Sequence, residues 1–324
     1  MIIFLNKLND YWNEKIEGLR EKFPDVRFIP VRDENNKEKY LAKASGIVAS
    51  KITVEEINKA VNAKILFVPF TGVNFFPLKE LKRENFIVAN AHGSSKFVAE
   101  RALTLALTLL GRIIEYHNDL SRGYWHMYEG MSGQWTSIHD MVCGILGVGH
   151  VGRNLAKLLK AFNCTVIGFK KHKIKKNIKY IDEITNNLNE VIDKSDIVFI
   201  CLPETYETKG IIDNEILSKM KGKYLINVGR GSIIKEEALY NNLINNTLSG
   251  AGFDVWYNYP KGKKEKLHPS NYPIYKLRNV VITPHNAGNT YKARKLNIDE
   301  TIKNIVSYLK KGKPVTEVNL KVGY

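Results

Sequence analysis

Three polar residues stand just past short apolar runs of the kind that form strands: Arg230 after 224–228, Asp254 after 248–253 and His285 after 280–283. Strands of a parallel α/β sheet end along one edge, and ligands bind in the crevice there. An arginine offers a planar fork to a carboxylate, and a histidine exchanges a proton near neutral pH. Such a pair can hold a 2-oxo acid, polarise its ketone and deliver a proton as a hydride arrives. Singly, each residue has a plainer reading: Arg230 as a surface ion-pair partner, His285 as a satisfied loop histidine, Asp254 as a cap. The convergence of all three on one edge is what points to chemistry.

That edge needs a hydride carrier, and the run Met141-Val142-Cys143-Gly144-Ile145-Leu146-Gly147-Val148-Gly149-His150-Val151-Gly152 supplies its site. An apolar strand ends in glycines spaced G-x-G-x-x-G. Val151, Leu155, Leu158, Leu159 and Phe162 follow at helical spacing, and Thr165-Val166-Ile167-Gly168-Phe169 resumes a strand. Gly147 allows the turn, Gly149 lets a pyrophosphate approach the backbone, and Gly152 lets helix and strand pack, with the phosphates at the helix N-terminus. The alternative is a glycine-rich structural turn, but the strand before, the helix after and the second strand favour a dinucleotide.

Composition sets the outer limits. A chain of 324 residues implies two domains, and 44% hydrophobic with 25% charged residues describes a globular protein. No apolar run reaches the length of a membrane span, and residues 1–5 read as a first strand rather than a signal peptide, so the expected location is cytoplasmic. Cys143, Cys164 and Cys201 lie in or beside apolar runs, giving neither a disulfide framework nor a metal-ligand spacing; no metal is expected. A net charge of +16 raises nucleic acid as a partner. The lysines are scattered, however, apart from Lys170-Lys171-His172-Lys173-Ile174-Lys175-Lys176 and Lys261-Gly262-Lys263-Lys264. An anionic cofactor explains the first group better, so neither nucleic acid nor membrane is expected.

The elements that position these residues follow in order. Strand-like runs at 2–5, 26–29, 46–49, 65–68 and 87–89 alternate with helical segments, one through Trp12, Ile16, Leu19 and Phe23, another opened by the capping box Thr53-Val54-Glu55-Glu56. The pattern predicts a small parallel-sheet domain. Its strand-end loops carry Ser50-Lys51 and Phe70-Thr71-Gly72-Val73, which makes Ser50, Lys51, Thr71, Gly72 and Val73 candidate substrate contacts. A long helix is expected from Ser95 to near Ile114. The aromatic segment 116–135 lacks periodicity and either lies over its own chain or crosses to a second subunit, with a homodimer preferred. A helix is read over 181–191, a buried strand over 196–203, and a last amphipathic helix from Tyr291 to about Leu309. The expected architecture is α/β in two domains: a Rossmann-type doubly wound sheet over 95–288, and a smaller flavodoxin-like catalytic domain from 1–94 and 289–324.

At this point the sequence resembles the D-isomer-specific 2-hydroxyacid dehydrogenase family. The resemblance rests on Gly147 to Gly152, Cys201-Leu202-Pro203 with Thr208, Asn227-Val228-Gly229-Arg230-Gly231, Gly250-Ala251-Gly252-Phe253-Asp254-Val255, Thr283-Pro284-His285-Asn286-Ala287-Gly288 and Val98-Ala99-Glu100. It implies that Arg230 grips the substrate carboxylate and carbonyl and that His285 donates the proton in reduction, with Asp254 in the catalytic set. It also implies a cofactor contact surface of Gly147, Gly149, His150, Val151, Gly152, Cys201, Leu202, Pro203, Thr208, Val228, Gly229, Asp254, Ala287 and Gly288.

Two departures matter. The position five residues after Asp254 usually carries a glutamate that pairs the histidine, and here it is Tyr259. Asp254-Val255-Trp256 resembles formate dehydrogenases, but Ser94 stands where their asparagine would be, which disfavours formate. Just past the second strand, where an acid would bind the NAD ribose, stands Lys170, followed by Lys171. NADP is therefore expected as the preferred cofactor, with NAD accepted; a solvated lysine surface is the alternative. The function expected is reduction of a small 2-oxo acid of the glyoxylate or hydroxypyruvate type to a D-2-hydroxy acid. Its rivals are a phosphoglycerate dehydrogenase-like enzyme and a non-enzymatic NAD(P)-sensing regulator resembling corepressors.

Overall fold

Runs of three to five apolar residues bounded by capped helices give two parallel sheets, because strands buried on both faces read as continuous hydrophobic stretches. The computed structural model describes the whole chain except residues 131–133, 172–176 and 263, and the side chains of Glu34 and Asn35. His172, Lys173, Lys175, Lys176 and Lys263, named above in the lysine groups, therefore lie outside the described residues. The chain divides into two compact units, Met1–Ser94 with Asn289–Tyr324, and Ser95–Gly288.

The first unit contains β1 (Ile2–Phe4), β2 (Phe28–Pro30), β3 (Gly46–Val48), β4 (Ile65–Phe67) and β5 (Ile87–Ala89), paired in parallel in the order β2-β1-β3-β4-β5. This is the flavodoxin-like doubly wound order. The helices between them are α1 (Asp10–Lys22), α2 (Glu34–Leu41), α3 (Val54–Lys59) and α4 (Leu78–Arg83). Local chemistry sets their starts. Asn9 accepts from the Trp12 amide at the head of α1, and Thr53 and Glu56 exchange side-chain bonds with each other's amides at the head of α3.

The last helix, Tyr291–Lys311, belongs to the same unit. It begins at Thr290, whose hydroxyl accepts from the Ala293 amide, and ends at Gly312 in the left-handed conformation with φ 70°. Ile298 and Ile305 join Ile2, Phe4, Trp12 and Phe67 in the core. Buried Asn304 joins three stretches of chain: its Nδ2 donates to the Asn90 carbonyl at 2.9 Å, and its Oδ1 accepts from the Val315 and Thr316 amides at 2.9 and 3.0 Å.

The second unit contains β6 (Val142–Leu146), β7 (Thr165–Phe169), β8 (Glu183–Thr185), β9 (Ile197–Ile200), β10 (Tyr224–Asn227), β11 (Gly250–Phe253) and β12 (Val280–Ile282). All pair in parallel, in the order β12-β11-β10-β9-β6-β7-β8. The winding reverses between β6 and β9, so the loop leaving β6 stands at the switch point. The helices are α5 (Ser95–Leu110), α6 (Ile113–Leu120), α7 (His150–Leu159), α8 (Leu188–Lys194), α9 (Asn214–Ser218) and α10 (Glu236–Ile244). One face of the sheet packs beneath Ala99, Ala102, Leu105 and Ala106 of α5 and Leu155, Ala156 and Leu159 of α7, and the other beneath Val191, Leu217, Leu239 and Leu243.

Two expectations are corrected here. The long helix from Ser95 does not reach Ile114: it stops at Leu110, and a second helix starts after Arg112, which adopts φ 50°. Glu115 holds that kink through two bonds of 2.9 Å to the Arg112 guanidinium. The segment 181–191 is not one helix either. Residues 183–185 form β8 on the edge of the sheet, paired with Ile167–Phe169, and helix α8 starts only after Asn187, whose side chain accepts from the Asn189 amide. Pairing with β7 decides the strand, a tertiary influence that outweighs local propensity.

Asn304→Ala would strip the acceptor from the Val315 and Thr316 amides, at about 1–3 kcal/mol for each buried group left unpaired, while the Asn90 carbonyl keeps the Thr316 hydroxyl. We expect a destabilisation of roughly 3 kcal/mol, read as an earlier unfolding step in thermal or urea melts, with Asn304→Asp losing less. An unchanged transition would show that Asn304 does not join these segments.

Candidate functional site

The second unit gathers the sequence candidates along one edge. The glycine turn follows β6, residue 170 follows β7, residues 201–208 follow β9, Arg230 follows β10, Asp254 follows β11 and His285 follows β12. Register explains the convergence: Leu146 pairs with Phe169 and Ile200, Ile200 with Asn227, Asn227 with Phe253, and Phe253 with Ile282.

The glycine turn is built for close approach. Gly147 has φ 103°, which strains any other residue, and a Cβ there would lie 2.9 Å from the Cys201 carbonyl carbon and the Leu202 nitrogen. A Cβ on Gly152 would lie 2.2 Å from the Gly147 carbonyl oxygen. Gly149 heads α7 and makes no side-chain cap bond to the first turn of that helix. The turn therefore fits a pyrophosphate, for which a helix N-terminus and bare backbone are the recognition elements. A second observation fits a dinucleotide: the Oδ1 of Asn286 is buried with no hydrogen-bond partner among the described residues, an acceptor suited to an amide donor such as a carboxamide.

Asp254 is buried and its carboxylate is fully engaged. Oδ1 accepts from the Thr283 hydroxyl at 2.6 Å and the Asn286 amide at 3.1 Å, and Oδ2 from the Ala287 amide at 2.9 Å. Its carboxylate thus braces the loop that carries His285. His285 sits in that loop at φ 52°, a left-handed conformation that non-glycine residues hold only when their surroundings fix it. Trp256 adds a second tie, donating Nε1–H to the Thr283 carbonyl at 2.8 Å.

Arg230 is aimed by Asn227, a residue that motif reading quoted without assigning it a role. The Asn227 side chain is fully buried; its Oδ1 accepts from the Gly229 amide at 3.0 Å and its Nδ2 donates to the Arg230 carbonyl at 2.9 Å. Only the local signal of an asparagine two residues before the glycine marked it in the sequence. Burial pulls the Arg230 guanidinium below its ordinary pKa, and the nearby Tyr259 phenol and Glu204 carboxylate pull it back up.

Tyr259 stands against the histidine, with ring centroids 5.4 Å apart, and its Oη accepts from the Trp256 amide at 2.9 Å. No side-chain hydrogen bond to the His285 ring occurs among the described residues, so Tyr259 contacts it only as a ring. Desolvation lowers the His285 pKa, the Arg230 charge lowers it further, and Asp254 works in the opposite direction. The net direction is downward, so this histidine falls below the ordinary value of about 6.5.

Other expected contacts divide. Leu202 and Pro203 leave β9 beside the glycine turn, as does Cys201, whose thiol is pushed up to about 12 by burial and is inert. Thr208 spends its hydroxyl within its own loop, donating to the Pro203 carbonyl at 2.7 Å and accepting from the Thr205 amide at 2.8 Å. Val228 and Gly229 lie in the turn before Arg230, and Ala287 and Gly288 follow His285. Lys170 stands at the end of β7, next to the turn, whereas Lys171 is paired with Glu207. In the first unit, Ser50 and Lys51 are exposed beyond β3. The loop after β4 is fixed by Thr71, which donates to the Ala91 carbonyl at 2.9 Å while its own carbonyl accepts from Asn90. Gly72 lies on that loop, but Val73 is 2% exposed and packs in the core, so its side chain does not face substrate.

Among the described residues, one group with potential metal-ligand atoms lies on the arm formed by α6 and the segment that follows it: Glu115, Asp119 and His126. Their atoms are already committed, Glu115 to Arg112, Asp119 to Arg122 and His126, and His126 also to Glu129 at 2.8 Å. This is an ion-pair network bracing the arm.

Residues 103–287 match the model of the D-isomer specific 2-hydroxyacid dehydrogenase, NAD binding domain. The chain belongs to the D-isomer specific 2-hydroxyacid dehydrogenase family. Among curated relatives, D-3-phosphoglycerate dehydrogenase of Archaeoglobus fulgidus is 30% identical over 84% of this chain and 50% of its own, and glyoxylate reductase of Thermofilum pendens is 29% identical over 85% and 80%. The chain spans about half the length of the phosphoglycerate dehydrogenases it matches. Among solved structures, an acyclic imino acid reductase in complex with NADPH and D-Arg is 30% identical, with a TM-score of 0.80 over 98% of this chain and 100% of that one. The second unit thus corresponds to the family's NAD-binding domain. No helix among the described residues is long and apolar enough to cross a membrane.

The His285 ring, followed by NMR, should titrate below 6.5 in the wild type, and Tyr259→Glu should raise its midpoint by about one unit, since a nearby carboxylate favours imidazolium. Overlapping titrations would show that position 259 does not set the charge of His285.

Proposed function

We propose that this chain reduces a small 2-oxo acid to the D-2-hydroxy acid with a nicotinamide dinucleotide, NADPH in preference to NADH. The observation that carries the reading is the pairing of Arg230 with His285, each held by its own buried polar residue, on the edge that also bears the glycine turn. In this reading the first unit is the substrate domain, and Ser50, Lys51, Thr71 and Gly72 on its strand-end loops are candidate substrate contacts.

The cofactor, when bound, supplies the hydride that the ketone carbon accepts. The chain's own residues do the rest. Gly147, Gly149 and the first amides of α7 hold the phosphates; Arg230 forks onto the substrate carboxylate and presents a donor to the ketone oxygen. His285 gives its proton to that oxygen, leaving a neutral imidazole and a hydroxyl group. Because the proton must be on His285 before reduction, kcat/KM falls as pH rises through its lowered pKa.

A homodimer in the cytoplasm completes the reading. The arm after α6 exposes Tyr124, Trp125, Met127, Tyr128 and Trp135 at 53 to 82%, a concentration of aromatic surface that a second copy would cover. A second reading, reduction of an imino acid, draws on the likeness to the acyclic imino acid reductase over the full chain; the same arginine would hold the carboxylate. The regulator reading predicts cofactor binding without turnover of any acid.

A panel of 2-oxo acids, with and without methylamine, assayed with NADPH and NADH and followed by chiral analysis, tests these readings; absence of turnover throughout would reject the enzyme. Arg230→Lys should lose at least a hundredfold in kcat/KM while folding normally, because an ammonium cannot reproduce the planar fork. Near-normal activity would remove Arg230 from the substrate site.

Lys170→Asp should lower the NADPH to NADH ratio of kcat/KM by roughly ten- to a hundredfold, the worth of one hydrogen bond to a charged group. A ratio unmoved by the substitution would assign Lys170 to solvent.

A further inference from the structure

Glu204 has no part in the chemistry described above, yet its carboxylate lies within the field of Arg230. It leaves the end of β9, and Arg230 leaves the end of β10, with Ile200 and Asn227 paired directly across the two strands. The two loops touch: a Cβ on Gly229 would lie 2.5 Å from the Leu202 carbonyl oxygen. The Ser232 hydroxyl donates to Oε2 of Glu204, which orients the carboxylate. Its other oxygen, Oε1, has no hydrogen-bond partner among the described residues. The group is half-buried, and its charge acts on both the Arg230 guanidinium and the Tyr259 phenol. A partly desolvated carboxylate with one oxygen unpartnered is an acceptor awaiting a donor.

We propose that Glu204 sets the charge selectivity of the substrate pocket, excluding acids with a second anionic group and favouring those that bring a cation or hydrogen-bond donor to its Oε1. The inference rests on the reading of Arg230 as the carboxylate anchor. Arg230 supplies one positive charge, which one substrate carboxylate satisfies. A second anionic group on the substrate meets Glu204 instead of a second cation, and like charges brought together in a desolvated site are strongly disfavoured. A guanidinium, ammonium or hydroxyl on the substrate instead pairs with Oε1, a charge-assisted bond of the stronger kind. The sequence alone gave no sign of this, because Glu204 is one acid among 33 until the fold sets it beside Arg230.

Two paired comparisons on the cofactor-loaded protein test the proposal. The kcat/KM ratio of oxaloacetate to hydroxypyruvate, and the calorimetric affinity ratio of oxalate to oxamate, are measured for wild type and Glu204→Gln. Both ratios should rise by about tenfold in the variant, a like-charge penalty reduced by partial exposure. The relative kcat/KM for 2-oxo-5-guanidinopentanoate should fall. Should the amide disturb the Ser232 contact enough to unfold the loop, Glu204→Ala reads the same ratios. Wild type that turns over none of the acids, yet shows the shift between oxalate and oxamate on substitution, would sink the enzymatic reading and leave the selectivity proposal standing. Ratios within twofold of wild type overturn the proposal, however active the enzyme. A changed NADPH affinity with unmoved ratios also overturns it, assigning Glu204 to the cofactor.

Discussion

The buried carboxylate of Asp254 binds the loop after β12 to the end of β11, and the geometry of the candidate site depends on that attachment. It takes hydrogen from Thr283, Asn286 and Ala287, so the backbone on both sides of His285 is fixed. Only under such restraint does a histidine keep a left-handed backbone. A carboxylate buried to 1% exposure is expensive unless its oxygens are satisfied, and satisfying them is what shapes the loop. The buried aspartate therefore acts on the position of His285, which takes its place from hydrogen bonds that its own ring does not make.

The same economy recurs one strand away. Asn227 occupies for Arg230 the place that Asp254 occupies for His285: a buried polar group at a strand end whose side chain satisfies the backbone of the following turn. Both devices work because the sheet is parallel and in register, so each strand delivers its final residue to the same edge. Glycines then let the loops meet, at Gly147 against Cys201 and at Gly229 against Leu202. Rigid loops around a water-accessible edge suit chemistry in which a carboxylate must be held while a proton and a hydride arrive.

Tyr259 gives the site its individual character. Without a carboxylate hydrogen-bonded to its ring, His285 is governed by desolvation and by the neighbouring guanidinium, both of which favour the neutral form. In the proposed reaction, oxidation of a hydroxy acid would start from the neutral imidazole and reduction from the protonated one, so this environment would tie its direction to pH. The Glu204 carboxylate, within reach of the same guanidinium, raises the Arg230 pKa against its desolvation.

Much of this was legible in the sequence because it depends on local rules. The glycine spacing, the apolar runs, the caps at Thr53 and Thr290 and the polar residues at strand ends are one-dimensional patterns, and they suffice for the doubly wound class and for placing the glycine turn, Arg230 and His285 at strand ends. Tertiary structure decided the rest. Residues 183–185 became a strand because β7 offered an edge to pair with, and the helix from Ser95 broke at Arg112 because Glu115 holds the kink. Val73 went to the core although its loop looked like a substrate contact. Asp254 and Thr208 proved to be partners of their own loops, and Glu204 came to lie beside Arg230. Each outcome turns on which groups remain unsatisfied after the chain folds, a quantity set by neighbours distant in sequence that no spacing rule encodes.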